Sequence, residues 1–168
     1  MKRLDHYWYT RSPWLLLLTP LSLLFRVVVS ARRFAYRVGI KRATRVSLPV
    51  IVVGNITVGG TGKTPLVVWL ASYLRDKGYA PGIVSRGFGG TASHWPQQVR
   101  ADSDPAVVGD EAVLLAATTG CPMAVAPDRV AAAQALVDHG ACDVIISDDG
   151  LQHYALQRDI EIVVIDGV

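Results

Sequence analysis

Cysteine is scarce: Cys121 and Cys142 are the only two in 168 residues, without CxxC spacing or a matching His cluster. That argues against a disulfide framework or a zinc site and favours a reducing compartment. Charge is also sparse, at 18% of residues against 51% apolar, which argues against disorder and leaves enough apolar side chain for a real core in one ordinary domain. Acids are nearly missing from residues 1–45, where ten Lys/Arg face Asp5 alone, whereas residues 46–168 hold seven Lys/Arg and thirteen acids. The body lacks a basic stripe with interleaved aromatics, so no nucleic-acid partner is expected. No internal repeat or low-complexity tract interrupts the chain.

A long apolar run is missing as well. The charge-free stretch from Ser12 to Phe25, bounded by Arg11 and Arg26, has 14 residues, short of the about 20 that a spanning helix needs. Beyond it Arg26, Arg33, Arg37 and Lys41 recur at helical spacing opposite Val27, Phe34 and Val38, and Tyr7, Trp8, Tyr9 and Trp14 precede the run. The pattern predicts an interfacial helix hairpin on an anionic membrane surface, in preference to a spanning helix or a helix packed on the protein's own body. A secretory signal fits less well, because Arg32 and Arg33 follow closely and no A-x-A site appears. Residues 1–45 are therefore expected to form a membrane-associating segment and residues 46–168 a separate core.

From Pro49 short apolar runs alternate with helical segments, which predicts an α/β fold with a mainly parallel sheet flanked by helices. The expected strands are Val50–Val53, Gly82–Val84, Met123–Ala126, Val144–Ile146 and Ile160–Ile165. The expected helices are Lys63–Lys77, Asp110–Ala117 and Asp128–His139, with Gly78 as a C-cap and Asp128 as an N-cap. Only Asp166-Gly167-Val168 follow the last strand, so a cut coding sequence or a missing second half is expected.

Between the first strand and helix lies Thr57-Val58-Gly59-Gly60-Thr61-Gly62-Lys63-Thr64. A glycine-rich turn at a helix start is an anion nest, so this P-loop NTPase-like segment predicts ATP binding. Lys63 would reach the β/γ-phosphates and Thr64 would ligate Mg²⁺. Thr57 stands where the usual pattern has its first glycine. The run Val144–Ser147 delivers Asp148 and Asp149 to the carboxyl edge of the sheet, where an acid can hold Mg²⁺; Asp149 is expected nearer the metal, although spacing does not separate it from Asp148. Asp110 and Glu111, after Gly109, either favour a helix macrodipole or, beside Mg-ATP, orient an acceptor hydroxyl and reach the metal shell. His153, four residues after Asp149, is read as catalytic alongside Lys63 and Asp149. Arg86, after a strand at the same edge, suits a phosphate of ATP or of an anionic acceptor. His6, His94 and His139 carry no functional expectation.

Taken together, these strings resemble the tetraacyldisaccharide 4′-kinase family. They are His6-Tyr7-Trp8-Tyr9, Gly54-Asn55 with Gly59–Pro65, Ser85–Gly90, Gly109-Asp110-Glu111, Asp148–His153 and Arg158-Asp159, in family order across nearly the whole chain. The resemblance implies a P-loop kinase with an N-terminal membrane-associated helix that uses ATP and Mg²⁺ to phosphorylate the 4′-hydroxyl of a lipid disaccharide 1-phosphate. It implies work at the cytoplasmic face of the bacterial inner membrane. It also implies that Asp110 acts as base with a His from the family's second half, that Glu111 belongs to the metal shell, and that His153 is not that partner. Family chains look about twice as long, so the catalytic dyad is expected to be incomplete within these 168 residues. A partition-type ATPase is the competing enzyme class, but its signature Lys stands where this chain has Val58. A truncated kinase that binds nucleotide and membrane without turnover is the non-enzyme alternative.

Overall fold

The computed structural model describes residues 14–56 and 62–165, and it divides into two units, one reaching Arg42 and one beginning at Ala43. In the first, Trp14–Arg37 is one continuous helix, α1, which runs through Pro20. The charge-free run and the basic run that a hairpin would separate thus share a single axis of about 36 Å. Thr19, Ser22, Arg26, Ser30, Arg33 and Arg37 follow one another at spacings of three and four and form a narrow polar stripe. The rest of the described helix surface is largely apolar and open, with Leu21, Phe25, Val27 and Phe34 all more than 60% exposed. No helix among the described residues is long and apolar enough to cross a membrane. Only its first half, up to Phe25, is free of charge.

The second unit is built on six strands: β1 (Val50–Asn55), β2 (Pro81–Ser85), β3 (Gln97–Val99), β4 (Met123–Val125), β5 (Val144–Asp148) and β6 (Ile160–Val164). Their order is β3-β4-β2-β5-β1-β6, parallel throughout except for β3 on β4. The β-branched runs of β1 and β5 are buried on both faces, as a parallel sheet covered by helices requires. Helices α2 (Lys63–Asp76), α3 (Pro105–Val108), α4 (Asp110–Thr119) and α5 (Arg129–His139) complete the unit.

Residue parity sorts the core into two layers. Ile51, Val53, Ile83, Met123, Val144 and Ile146 meet Val67, Leu70 and Ala71 of α2 and Ala112, Leu115 and Ala116 of α4. Their neighbours Val50, Val52, Val84, Ala124 and Ile145 meet Ala132, Ala133 and Leu136 of α5. Each fully buried side chain of this kind contributes roughly 1.5–3 kcal/mol. All five expected strands and three expected helices form, and the Asp128 side chain caps α5 by accepting from Val130 N at 2.9 Å. Strand β3 and the single turn α3 were not expected. Gln97-Gln98-Val99 is too short and too polar to show as a strand; it forms because an antiparallel edge strand needs only one buried side chain, Val99.

Candidate nucleotide and acceptor site

In a parallel sheet the loops after every strand emerge at one edge, and here that edge gathers the start of α2 after β1, Arg86 after β2, the start of α5 after β4, and Asp149 after β5. Residues Thr57, Val58, Gly59, Gly60 and Thr61 lie outside the described residues. Gly62 holds a left-handed conformation, φ 79°, directly ahead of α2.

The first two residues of α2 are each held by an acid. Lys63 Nζ donates to Asp149 Oδ1 at 2.8 Å, and Thr64 Oγ1 donates to Glu111 Oε1 at 2.7 Å across to α4. Asp148 ends β5 and has the parity of Val144 and Ile146, so its side chain lies on the α2/α4 side, 2% exposed. Burial pushes its carboxyl up to about 6, with Glu111 and Asp149 adding to the rise and Lys63 and Arg129 opposing it. Asp149 lies just past the strand at φ 50°, which turns the chain towards Lys63. Adjacent acids thus divide into one buried and one facing the lysine.

Among the described residues, the buried side-chain polar atoms without a hydrogen-bond partner are Asp148 Oδ1, Ser147 Oγ and Arg129 Nε. Asp148 and Ser147 end β5, and Arg129 opens α5 at the same sheet edge. Buried unpaired polar atoms are few in native proteins, and these three all lie at the carboxyl edge of the sheet. No cage of three His, Cys, Asp or Glu side chains is preassembled there among the described residues. A threonine hydroxyl with a few carboxylate oxygens suits Mg²⁺, which keeps several waters and takes its remaining ligands from phosphate.

Asp110 opens α4 beside Glu111, and its Oδ1 accepts from Glu111 N at 2.9 Å. Gly109 makes that placement possible. Its φ is 95°, and a Cβ there would stand 2.5 Å from Phe88 O, so the Arg86–Gly90 loop seats directly on the helix start. Arg86 is exposed at the base of this loop.

His153 lies towards α5: its Nε2 accepts from Arg129 N at 3.2 Å and stands 3.6 Å from Asp128 Oδ1. His153 therefore orients the start of α5. Arg129, which sequence reasoning missed, is 3% exposed and donates to Ala126 O at 2.9 Å; burial lowers its pKa to about 10 while Asp148 and Asp149 support its charge. A signal existed, since a cation in the first turn of a helix opposes the macrodipole and needs another reason to be there. Arg158 donates to Gly150 O and Leu151 O at 3.3 Å, and Asp159 Oδ2 accepts from Val50 N at 2.9 Å. That pair fixes the loop after β5 and the entry to β1.

A mainly parallel sheet covered on both faces, with a Gly-Lys-Thr helix start beside strand-end acids, defines the class of P-loop kinases. The model of the tetraacyldisaccharide-1-P 4′-kinase family matches residues 14–168. A tetraacyldisaccharide 4′-kinase of Nitrosococcus oceani is 62% identical over 162 residues, 96% of this chain and 48% of the relative. Its counterpart in Aeromonas hydrophila is 56% identical over 98% of this chain and 49% of its own length. The crystal structure of LpxK from Aquifex aeolicus in complex with ATP superposes with a TM-score of 0.78 at 31% identity, covering 87% of this chain and 47% of that one. The chain belongs to the tetraacyldisaccharide 4′-kinase family, and it spans about half the length of the curated relatives it matches.

Proposed function

We propose that this chain is the nucleotide-binding half of an ATP-dependent kinase whose acceptor is the 4′-hydroxyl of a tetraacyldisaccharide 1-phosphate. The observation that carries the reading is the pair of contacts Lys63–Asp149 and Thr64–Glu111, which assembles a phosphate-reaching cation, a metal-type hydroxyl and two carboxylates at one sheet edge. In this reading residues 57–64 cradle the phosphates, and Lys63 neutralises the charge that develops on the transferred group. Thr64, Glu111, Asp148 and Asp149 would hold Mg²⁺, which supplies Lewis-acid stabilisation of the phosphoryl oxygens when bound. Asp110 accepts the acceptor's proton, Arg86 binds a phosphate, and His153 keeps the Arg129 end of the acid cluster in place. The relatives' remaining length would supply the rest of the acceptor site.

The same proposal places α1 flat on the cytoplasmic face of a bacterial inner membrane. Its open apolar surface would enter the acyl region while Arg26, Arg33 and Arg37 stay with anionic headgroups.

The test is calorimetric titration of the chain with ATP in Mg²⁺. Wild type is expected to bind, and Lys63→Ala to bind roughly 10²-fold or more weakly with unchanged circular dichroism, since it removes a charged contact to phosphate. Equal affinity for the two proteins would overturn the site.

A further inference from the structure

Beside the candidate transfer centre a cleft of about 990 Å³ opens between α2 and α4. Its polar end is Thr64, Asp110 and Glu111, and its walls are Val68, Trp69 and Leu114. Trp69 is 59% exposed and Leu114 57%, and Trp69 stacks on Tyr73 with centroids 5.4 Å apart. Helix positions facing the sheet are already filled by Val67, Leu70 and Ala71, and Val68 packs partly against that core, so Trp69 and Leu114 are the apolar side chains left exposed along the cleft. A contiguous apolar wall leading away from a polar centre is the construction of a ligand cleft.

Charge selects the occupant. No Lys or Arg among the described residues lines the cleft, and its charged groups are the two acids at the mouth. Beyond the metal and phosphate end, an anionic headgroup would find no cation to pair with, whereas an alkyl chain meets mainly apolar walls. We propose that this cleft takes an acyl chain of the acceptor lipid, entering from a sugar whose hydroxyl faces Asp110. The inference rests on the kinase reading above and adds to it where the lipid part lies. Trp69 then determines acceptor chain length, without touching the reacting atoms.

The experiment uses the chain labelled with 5-fluorotryptophan and followed by fluorine NMR, with the Trp69 signal assigned by Trp69→Phe. The probe is octyl glucoside below its micelle concentration, compared with butyl glucoside; Trp14 on α1 reports any alkyl binding there separately. The Trp69 signal is expected to shift saturably with octyl glucoside and to need roughly 200-fold more butyl glucoside, each of the four methylenes contributing roughly fourfold. Leu114→Glu should weaken the octyl shift at least tenfold and leave ATP affinity unchanged. A Trp69 signal that ignores the probe, or a shift that Leu114→Glu does not weaken, in a chain that still binds ATP, overturns this inference alone. Failure to bind either ATP or probe overturns the kinase reading with it. A Trp69 signal that moves with protein concentration in the absence of probe assigns the cleft to a second copy of the chain and also overturns it.

Discussion

Asp148 and Asp110 are adjacent to the same cluster and answer to different physics. Asp148 is buried with its carboxyl at about 6, above the about 3.9 of an unfolded chain, so the folded state binds its proton more tightly. Its contribution to stability is present below about pH 4 and is lost as pH rises through 6, a loss of about 3 kcal/mol. Asp148→Asn should therefore raise the melting temperature of the nucleotide-free chain at pH 7.5 and flatten its fall between pH 4 and 6; an unchanged pH profile would contradict the burial account. Under the proposed function Asp110 instead takes part only at the chemical step. In a relative carrying the full family length, Asn at the position aligned with Asp110 is expected to lower kcat by about 10²–10⁴ with ATP affinity retained. Gln at the position of Glu111 should change the Mg²⁺ dependence as well. Parallel loss of ATP affinity in the Asp110 substitution would return that residue to a helix-start role.

At the scale of elements, the junction of α3 and α4 leaves no room for a side chain at Gly109. Gly109→Ala would place a methyl against Phe88 O at a positive φ, at a cost of roughly 1–3 kcal/mol. Urea denaturation should show a lowered midpoint with an unchanged slope; wild-type stability would mean the loop yields freely. This junction was only partly legible in the sequence. Gly109-Asp110-Glu111 reads as a helix start, but Phe88 lies about 20 residues earlier and no local pattern joins the two. The strands and longer helices were legible because burial on both sheet faces leaves unbroken β-branched runs such as Val50–Val53. Strand β3 was not, since a half-exposed edge has no such run. Parity from Val144 onward already places Asp148 on the α2/α4 side; its raised pKa was not legible, because Glu111 and Arg129, which act on its charge, come from other elements.

For the whole molecule, α1 lies in one unit and the sheet with its acids in the other, so the basic and acidic parts of the sequence fall mainly in different units. The chain should sediment with vesicles rich in anionic lipid, each Lys/Arg near the surface contributing about 1 kcal/mol, and lose much of that binding as salt rises. Binding that resists high salt and yields only to detergent would contradict an interfacial α1. At this scale the Lys63–Asp149 and Thr64–Glu111 contacts have another consequence. Under the proposed function an arriving nucleotide would have to displace both carboxylates from the lysine and the threonine, and bare ATP would leave them facing its own negative charge. A divalent cation carried by the nucleotide would give them a new counter-charge, so the proposed site would favour cation-loaded ATP over bare ATP.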